Sequence, residues 1–212
     1  MKLAFIGYGA LGSQIIEMLR SMETPIADVI YFDDVLFEEK SGSDSHFRFE
    51  DFRTHDFFGY QVVLGLGYRH LVKKREIINL LLHKEITLLT FIHPTSYVSS
   101  SATIEAGVIV YPMCTIDNQV TIKTGALVHN GVIVSHDSVI GSCAYLSPGV
   151  VVSGNVILGD CSFLGARSTI SNGIKLGDEV TIGIGSVVTH DIDSSMFAIG
   201  NPAMIKTNLN LK

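Results

Sequence analysis

Hydrophobic residues in the second part of the chain recur with a period of six. Every sixth position from Ile92 to Val188 is Ile, Leu or Val, without an interruption. A second series, four residues after the first, holds small or β-branched residues from Ala102 to Ser168. A period of six fits no amphipathic helix, whose apolar positions recur every 3.6 residues, so this pattern predicts a repeat architecture.

Three hexads, each with one short strand, would close one triangular coil. The large aliphatic residue of each hexad would fill the interior, and the small residue would let the chain turn the corner. Stacked coils would pair as parallel strands about 4.8 Å apart, which predicts a prism of about five coils. Corners are expected to need positive φ angles, and Gly, Asn and Asp cluster at Asn130-Gly131, Gly154-Asn155, Asn172-Gly173 and Gly177-Asp178. The period leaves the hand of the coil open.

The first ninety residues alternate short apolar runs with one-sided amphipathic segments. This pattern predicts strands and helices in a Rossmann-like βαβ arrangement. The expected strands are Lys2–Ile6, Val29–Phe32, Gln61–Leu64 and Ile86–Ile92, the expected helices are Ala10–Met22 and Arg69–His83, and Glu38–Ser45 is expected to be a loop. The predicted organisation is therefore an α/β domain at 1–91, a parallel β-helix at 92–192 and a C-terminal tail at 193–212.

A glycine motif lies between the first predicted strand and helix. Gly7-Tyr8-Gly9-Ala10-Leu11-Gly12 matches G-x-G-x-x-G, with Asp33 and Asp34 about twenty residues later. Three interpretations are open: a dinucleotide site, close strand–helix packing alone, or a site for the nucleotide of a sugar donor. A dinucleotide site needs two βαβαβ halves, and ninety residues hold about one. The third interpretation would make Gly7, Gly9, Gly65, Gly67, Asp33 and Asp34 substrate-binding residues.

Charge and composition narrow the function classes. The net charge of −6 disfavours a surface for nucleic acid or an anionic membrane. No apolar stretch reaches membrane-spanning length, and glycines interrupt the apolar start, so a cytoplasmic protein is expected. Three cysteines without a C-x-x-C motif predict no disulfide framework. Cys143 and Cys161 are three hexads apart and are expected to be stacked thiols.

Several hexads resemble the hexapeptide repeat of acyltransferases, notably Leu158-Gly159-Asp160-Cys161-Ser162-Phe163 and Ile182-Gly183-Ile184-Gly185-Ser186-Val187. The resemblance implies a left-handed β-helix and a homotrimer. The whole chain is similar to bacterial sugar acetyltransferases, which include sialic acid O-acetyltransferases and nucleotide-linked amino-sugar N-acetyltransferases. It therefore implies acetyl-CoA as the co-substrate and a nucleotide-linked sugar as the acceptor. It also implies the third interpretation of the glycine motif, a site for the nucleotide of the sugar.

One corner position places an imidazole beside a carboxylate, at His136 and Asp137. His136 is the third residue of its hexad and is expected to point outward, with Gly154 one coil above leaving a groove. On spacing alone, a solvated histidine without function fits equally well. The resemblance implies instead that His136 is the general base and that Asp137 orients the imidazole.

The resemblance also implies contacts to the two substrates. Coenzyme A is expected along Gly154, with Gly165, Ala166, Gly183, Ile184 and Lys206 as further contacts. His129 stands where relatives have an Asn that lines the site, so it is expected to touch the substrate. Tyr145 replaces a second His of many relatives, and Met204 replaces a basic residue near the coenzyme phosphates. The sequence leaves open whether Lys206, Arg167 or Lys175 takes that place.

The predicted activity is transfer of an acetyl group from acetyl-CoA to the amine of a nucleotide-linked deoxyamino sugar. The alternatives are O-acetylation of a sialic-acid-like sugar and a sugar-nucleotide-binding scaffold without catalysis. A carbonic-anhydrase-type zinc site shares the prism but needs three convergent His ligands. The positions one coil beyond His129 and His136 are Ser147 and Gly154, so no metal is expected.

Overall fold

The computed structural model describes residues 1–22, 25–40 and 42–206. The chain divides into two compact units, Met1–Leu89 and a second that begins at Thr90. The first unit has strands β1 (Lys2–Ile6), β2 (Asp28–Phe32), β3 (His46–Phe47) and β4 (Tyr60–Leu64), and helices α1 (Ala10–Ser21), α2 (Asp34–Glu39) and α3 (Leu71–His83). Two short 3₁₀ helices cover Phe49–Arg53 and Tyr68–His70.

The sheet of the first unit is parallel, in the order β3-β2-β1-β4. β1 is its centre because Leu3–Ile6 are fully buried, as expected for an inner parallel strand covered on both faces. Helix α1 packs Ile15, Ile16 and Leu19 into the core at the helical spacing that the sequence predicts. The predicted Rossmann-like arrangement is confirmed.

Two local predictions for the first unit are wrong. Ile86–Ile92 is not one strand, because only Leu88 forms a bridge with Val62 and the next paired residues, Phe91–Ile92, already belong to the second unit. The predicted loop at Glu38–Ser45 begins inside α2. That helix forms because the Asp33 carboxylate accepts hydrogen bonds from the backbone N–H groups of its first turn.

The second unit is a left-handed β-helix. Its coil is built from two-residue strands that recur with the period of the hexads from 91 to 188, each ending on an aliphatic residue of the hexad series. They are β5 (Phe91–Ile92), β6 (Tyr97–Val98), β7 (Thr103–Ile104), β8 (Ile109–Val110), β9 (Thr115–Ile116), β10 (Thr121–Ile122), β11 (Leu127–Val128), β12 (Ile133–Val134), β13 (Val139–Ile140), β14 (Tyr145–Leu146), β15 (Val151–Val152), β16 (Ile157–Leu158), β17 (Phe163–Leu164), β18 (Thr169–Ile170), β19 (Lys175–Leu176), β20 (Thr181–Ile182) and β21 (Val187–Val188).

Three parallel sheets form the faces of the prism. The first face runs from β5 to β20 and continues with β22 (Phe197–Gly200), which is parallel to β20, and β23 (Ala203–Ile205), which is antiparallel to β22. The second face runs from β6 to β21 and the third from β7 to β19. Each strand pairs with the strand three hexads later, as Val128 does with Leu146. From Val108 onward both hexad series are buried together in the core of the prism, as the sequence predicts, whereas Ile92 at the start of the first series is 38% exposed.

The corners take three names used below. Corner A joins the second face to the third and holds Asn118, His136, Gly154 and Asn172 in successive coils. Corner B joins the first face to the second and holds Asn130, Pro148, Ala166 and Ile184. Corner C joins the third face to the first and holds Ser142, Asp160 and Asp178.

A positive φ angle recurs once in every hexad from Gly107 to Gly185, at the residue after each of these corner positions. The prediction is confirmed at Gly131, Asn155 and Gly173. It is wrong at Gly177-Asp178, because the left-handed residue there is Glu179. Gly177 has another reason to be glycine: a Cβ would lie 2.4 Å from Ser194 Oγ of the adjacent chain segment.

Corner C carries a ladder of side chains that cap the backbone of the neighbouring coil. Ser142 N–H donates to Asp160 Oδ1 at 2.8 Å, and Asp160 N–H donates to Asp178 Oδ1 at 2.7 Å. Asp178 N–H in turn donates to Ser194 Oγ at 3.0 Å. These bonds satisfy corner amides that the strand ladders do not reach.

Further expectations concern thiols and the chain end. Cys143 and Cys161 are buried, in equivalent places of adjacent coils, and in the described part of the chain they are thiols. The predicted tail at 193–212 contains β22 and β23, and its part from 207 onward lies outside the described residues. Among the helices that the structure describes, none combines the length and apolar character needed to cross a membrane.

Candidate active site

His136 and Asp137 form a hydrogen-bonded pair at corner A, between β12 and β13. The Nδ1 atom of His136 lies 2.8 Å from Asp137 Oδ2. Asp137 adopts the left-handed conformation at φ 58°, which Asp tolerates better than most residues and which turns its carboxylate back onto the ring. With the Nδ1 proton donated to this carboxylate, a neutral imidazole presents the lone pair of Nε2. About half of each side chain is exposed.

Gly154 lies one coil after His136, directly against the imidazole. A Cβ at residue 154 would be 2.6 Å from both Cε1 and Nε2 of His136, and 3.0 Å from Asn172 Oδ1. The absence of a side chain therefore admits the imidazole from one neighbouring coil and the amide of Asn172 from the other. The contact with the His136 ring gives this glycine a packing reason, and the expected coenzyme groove along Gly154 stays a prediction.

Backbone and hydroxyl contacts hold the coil of His136 against the coil of Gly154. Asn155 N–H donates to the His136 carbonyl at 2.9 Å. The buried Ser138 hydroxyl donates to the Ser153 carbonyl at 2.9 Å and accepts from Val156 N–H at 3.1 Å. These bonds hold the two coils in a fixed position relative to each other on both sides of the corner.

The predicted coenzyme contacts lie elsewhere on the prism. Ala166 and Ile184 are at corner B, one full face away from His136, and Ile184 is 71% exposed. Gly165 and Gly183 precede them and pack closely, since a Cβ on Gly165 would lie 2.6 Å from Ile184 N. Lys206 is exposed and follows β23. Within one chain, only Gly154 of this predicted set meets the histidine pair.

His129 is also at corner B, where it stacks on Tyr111 with ring centroids 4.3 Å apart. Its burial lowers the pKa of the imidazole below the usual 6.5. Burial likewise raises the pKa of Tyr111, whose hydroxyl has no hydrogen-bond partner among the described residues. Tyr145 lies further along the same face, 6.4 Å from His129 between ring centroids. His129 is therefore a neutral, half-buried ring at pH 7.

In the first unit, the structure brings three of the predicted nucleotide contacts to the carboxyl edge of the sheet. Gly7 follows β1 with φ 76°, Asp33 follows β2 and Gly65 follows β4. Asp33 Oδ2 accepts from Tyr8 N–H at 2.8 Å. A Cβ on Gly65 would lie 2.1 Å from the Gly7 carbonyl, so close packing alone requires that glycine.

The remaining predicted contacts differ in their surroundings. Gly9 begins α1, whose first turn carries no acidic residue, and a Cβ there would meet nothing within 4 Å. Gly67 is equally open. Asp34 Oδ1 accepts from Phe49 N–H at 3.0 Å, so this carboxylate already has a backbone partner. The open helix start at Gly9 is the place best suited to a phosphate.

Sequence reasoning missed Asn172, which the structure places beside Gly154. The signal was available, because Asn172 lies two coils after His136 in the column of corner A. As for metal ions, no group of three or more His, Cys, Asp or Glu side chains suited to hold one occurs within 1–22, 25–40 and 42–206.

Comparisons with known proteins agree with this architecture. The family described as hexapeptide repeat of succinyl-transferase matches residues 155–190. The acetyltransferase domain of PglB from Neisseria gonorrhoeae is similar in structure, with 26% identity and a TM-score of 0.82 over 97% of this chain and 99% of that one. The same domain with acetyl coenzyme A bound matches at 25% identity, with a TM-score of 0.68 over 97% of this chain and 98% of that one.

PerB from Caulobacter crescentus, solved with CoA and GDP-perosamine, is similar at 26% identity, with a TM-score of 0.84 over 97% of each chain. No curated protein sequence matches significantly. Both structural likenesses include the first unit as well as the prism. The predicted resemblance to hexapeptide-repeat sugar acetyltransferases is confirmed.

Proposed function

We propose that this chain transfers an acetyl group from acetyl-CoA to the amine of a nucleotide-linked deoxyamino sugar. The observation that carries the proposal is the His136–Asp137 pair over Gly154, on a chain similar over its whole length to sugar acetyltransferases. The bound ligands of the Caulobacter protein support the choice of acceptor, since perosamine is an amino sugar carried by a nucleotide.

The chemistry requires one proton transfer and no protein nucleophile. The amine nitrogen attacks the thioester carbonyl carbon, and its proton passes to Nε2 of His136. The C–S bond then breaks, and the departing thiolate takes a proton from the imidazolium, which leaves an amide and coenzyme A. Asp137 stabilises the imidazolium while the proton is held there.

The tetrahedral intermediate carries an oxyanion, and it needs a hydrogen-bond donor. We assign that role to Gly154 N–H, which lies beside the base and donates to no acceptor among the residues that the structure describes. The lack of a side chain at Gly154 thus serves two purposes: it admits the imidazole, and it leaves the backbone N–H accessible to the substrate.

The first unit is proposed to bind the nucleotide. The start of α1 at Gly9 presents backbone N–H groups without a competing acidic side chain, which favours a diphosphate. The Asp33 carboxylate accepts hydrogen bonds from three backbone N–H groups, one of them in the turn after Gly7. Its remaining lone pairs are available to a ribose hydroxyl.

A homotrimer would bring the predicted coenzyme contacts to the histidine pair. Corners A and B border the same second face, whose outward residues are partly exposed and mostly β-branched: Tyr97, Thr115, Ile133, Val151, Thr169 and Val187. If copies pack through this face, corner B of one copy, with Ala166, Ile184 and His129, can approach corner A of the next. The coenzyme would then lie between two chains, and the protein is proposed to act in the cytoplasm.

The test is thiol release from acetyl-CoA in the presence of matched sugars. UDP-, dTDP- and GDP-linked 4-amino-4,6-dideoxyhexoses are compared with counterparts that carry a hydroxyl at the same carbon. Amine-dependent release supports the proposal. Release only with hydroxyl sugars would support O-acetylation instead, and no release with any sugar would leave a non-catalytic scaffold.

A further inference from the structure

We infer that Asn172 is a specificity-determining residue that selects an amine over a hydroxyl as the acetyl acceptor. The inference rests on the proposed function and deepens it. Asn172 lies at corner A, two coils after His136, with Gly154 between them. The choice between N- and O-acetylation would thus depend on a hydrogen-bond acceptor atom of Asn172 beside the base.

The geometry places two hydrogen-bond acceptor atoms, His136 Nε2 and Asn172 Oδ1, around one point. The position that a Cβ of residue 154 would take is 2.6 Å from His136 Nε2 and 3.0 Å from Asn172 Oδ1. The two acceptors are therefore less than about 6 Å apart, a separation that one nitrogen can bridge with two hydrogen bonds of ordinary length. Gly154 has no side chain of its own that would come between them.

Asn172 is available for this role because the protein does not otherwise use its amide. The side chain is exposed, and its oxygen and nitrogen have no hydrogen-bond partner among residues 1–22, 25–40 and 42–206. Asn118, on the other side of His136 in the same column, differs: its Oδ1 accepts from Ser99 Oγ at 2.6 Å. The two asparagines occupy equivalent corner positions, yet only Asn172 faces the base across Gly154.

The substrate amine and the substrate hydroxyl differ in the number of protons on the attacking atom. An amine nucleophile has two N–H bonds: the proton of one passes to His136 Nε2, and the other N–H remains in the product amide and can donate to Asn172 Oδ1 throughout the reaction. A hydroxyl has one proton, which His136 takes. In the side-chain orientation that the structure shows, its oxygen then presents only lone pairs to Asn172 Oδ1, and a hydrogen bond to it would require the Asn172 amide to turn over and present its NH2 group.

The experiment measures kcat/KM for matched amine and hydroxyl nucleotide sugars, with thiol release as the readout. The enzymes are wild type, Asn172→Ala, Asn172→Asp and the control Asn118→Ala. We expect Asn172→Ala to lower kcat/KM for the amine by about 3- to 10-fold, one hydrogen bond's worth, and to leave the hydroxyl sugar unchanged or slightly faster. Asn172→Asp keeps an acceptor oxygen and should keep the amine preference, as should Asn118→Ala.

Each outcome bears on the inference. An amine-to-hydroxyl ratio that stays at the wild-type value in Asn172→Ala would overturn it, as would an equal loss in Asn118→Ala. A ratio in Asn172→Asp as low as in Asn172→Ala would show that acceptance of a hydrogen bond at residue 172 does not determine the preference, and would also overturn the inference. A wild type that acetylates no amine sugar would overturn the proposed function, and this inference with it. Because Asn172 is exposed, thermal unfolding of the variants should match the wild type.

Discussion

Replacing Gly154 by Ala should disable the enzyme without unfolding it. The backbone of Gly154 does not adopt a positive φ, so Ala introduces no backbone strain. The new methyl group would lie 2.6 Å from two atoms of the His136 ring, well inside ordinary van der Waals contact. The ring is half exposed, and among the residues that the structure describes its hydrogen bond is at Nδ1, so it can swing outward rather than force the coils apart.

The expected size of the effect follows from that displacement. Restoring contact distance moves Nε2 by roughly 1 Å, and an error of about 1 Å in the placement of a reacting group can cost about 10²-fold. We therefore expect Gly154→Ala to lower kcat by about 10²-fold, while the thermal unfolding temperature changes little.

A double-mutant cycle isolates the steric cause. In a His136→Ala background the new methyl group has no imidazole to displace, so Gly154→Ala should then cost little beyond the loss already caused by His136→Ala. Steady-state thiol release and differential scanning calorimetry of the four proteins complete the cycle. A folded Gly154→Ala enzyme with wild-type kcat, or equal losses in both backgrounds, would refute the placement of the base over Gly154.

Four further outcomes are expected. His136→Ala should lower kcat by about 10²- to 10⁴-fold with a small change in KM, and initial rates that show full activity would exclude general-base catalysis. Asp137→Asn should lower kcat less, because Asn keeps the left-handed conformation and loses only the charge, and initial rates check this as well. Light scattering should give a mass about three times 23.0 kDa, and a monomer at micromolar concentration would contradict a shared site. Asp33→Ala should lower the unfolding temperature through the lost cap of α2 and weaken binding of the nucleotide sugar but not of coenzyme A, which calorimetry can separate. Burial lowers the pKa of His129, so the unfolded state binds more protons than the folded state below about pH 6.5. The free energy of unfolding should therefore fall as the pH drops below about 6.5. His129→Asn should flatten the slope of the unfolding free energy against pH.

The prism could be predicted residue by residue because its period is a geometric requirement. Each coil must close after three hexads, so the inward positions show directly in the sequence. The left-handed corner residues are different, since they include Met113, Gln119 and Arg167, which have no preference for that conformation. Only their place in the hexad reveals them, and looking for Gly, Asn or Asp alone led to the error at Gly177-Asp178.

The candidate site could be predicted only where its members are close in the sequence or one coil apart. His136 and Asp137 are adjacent, and Gly154 follows by one coil. Asn172 was missed because two coils separate it from His136, and only the glycine between them brings the two side chains together. The coenzyme contacts at corner B cannot meet His136 within one chain, so a pattern in one sequence cannot show how they come together.

The one-coil separation of His136 and Gly154 also restricts how this protein can change in length. The three hexads from one to the other place the imidazole over the glycine. Losing or gaining a single residue inside this turn would rotate every later side chain out of alignment, and a whole hexad would move Gly154 to a different edge of the triangle. Extra residues can be accommodated only as a loop that leaves a corner, or as a complete turn added outside this pair. Lineages of this protein should therefore vary in the number of whole turns and in protruding loops, while the spacing from His136 to Gly154 stays constant.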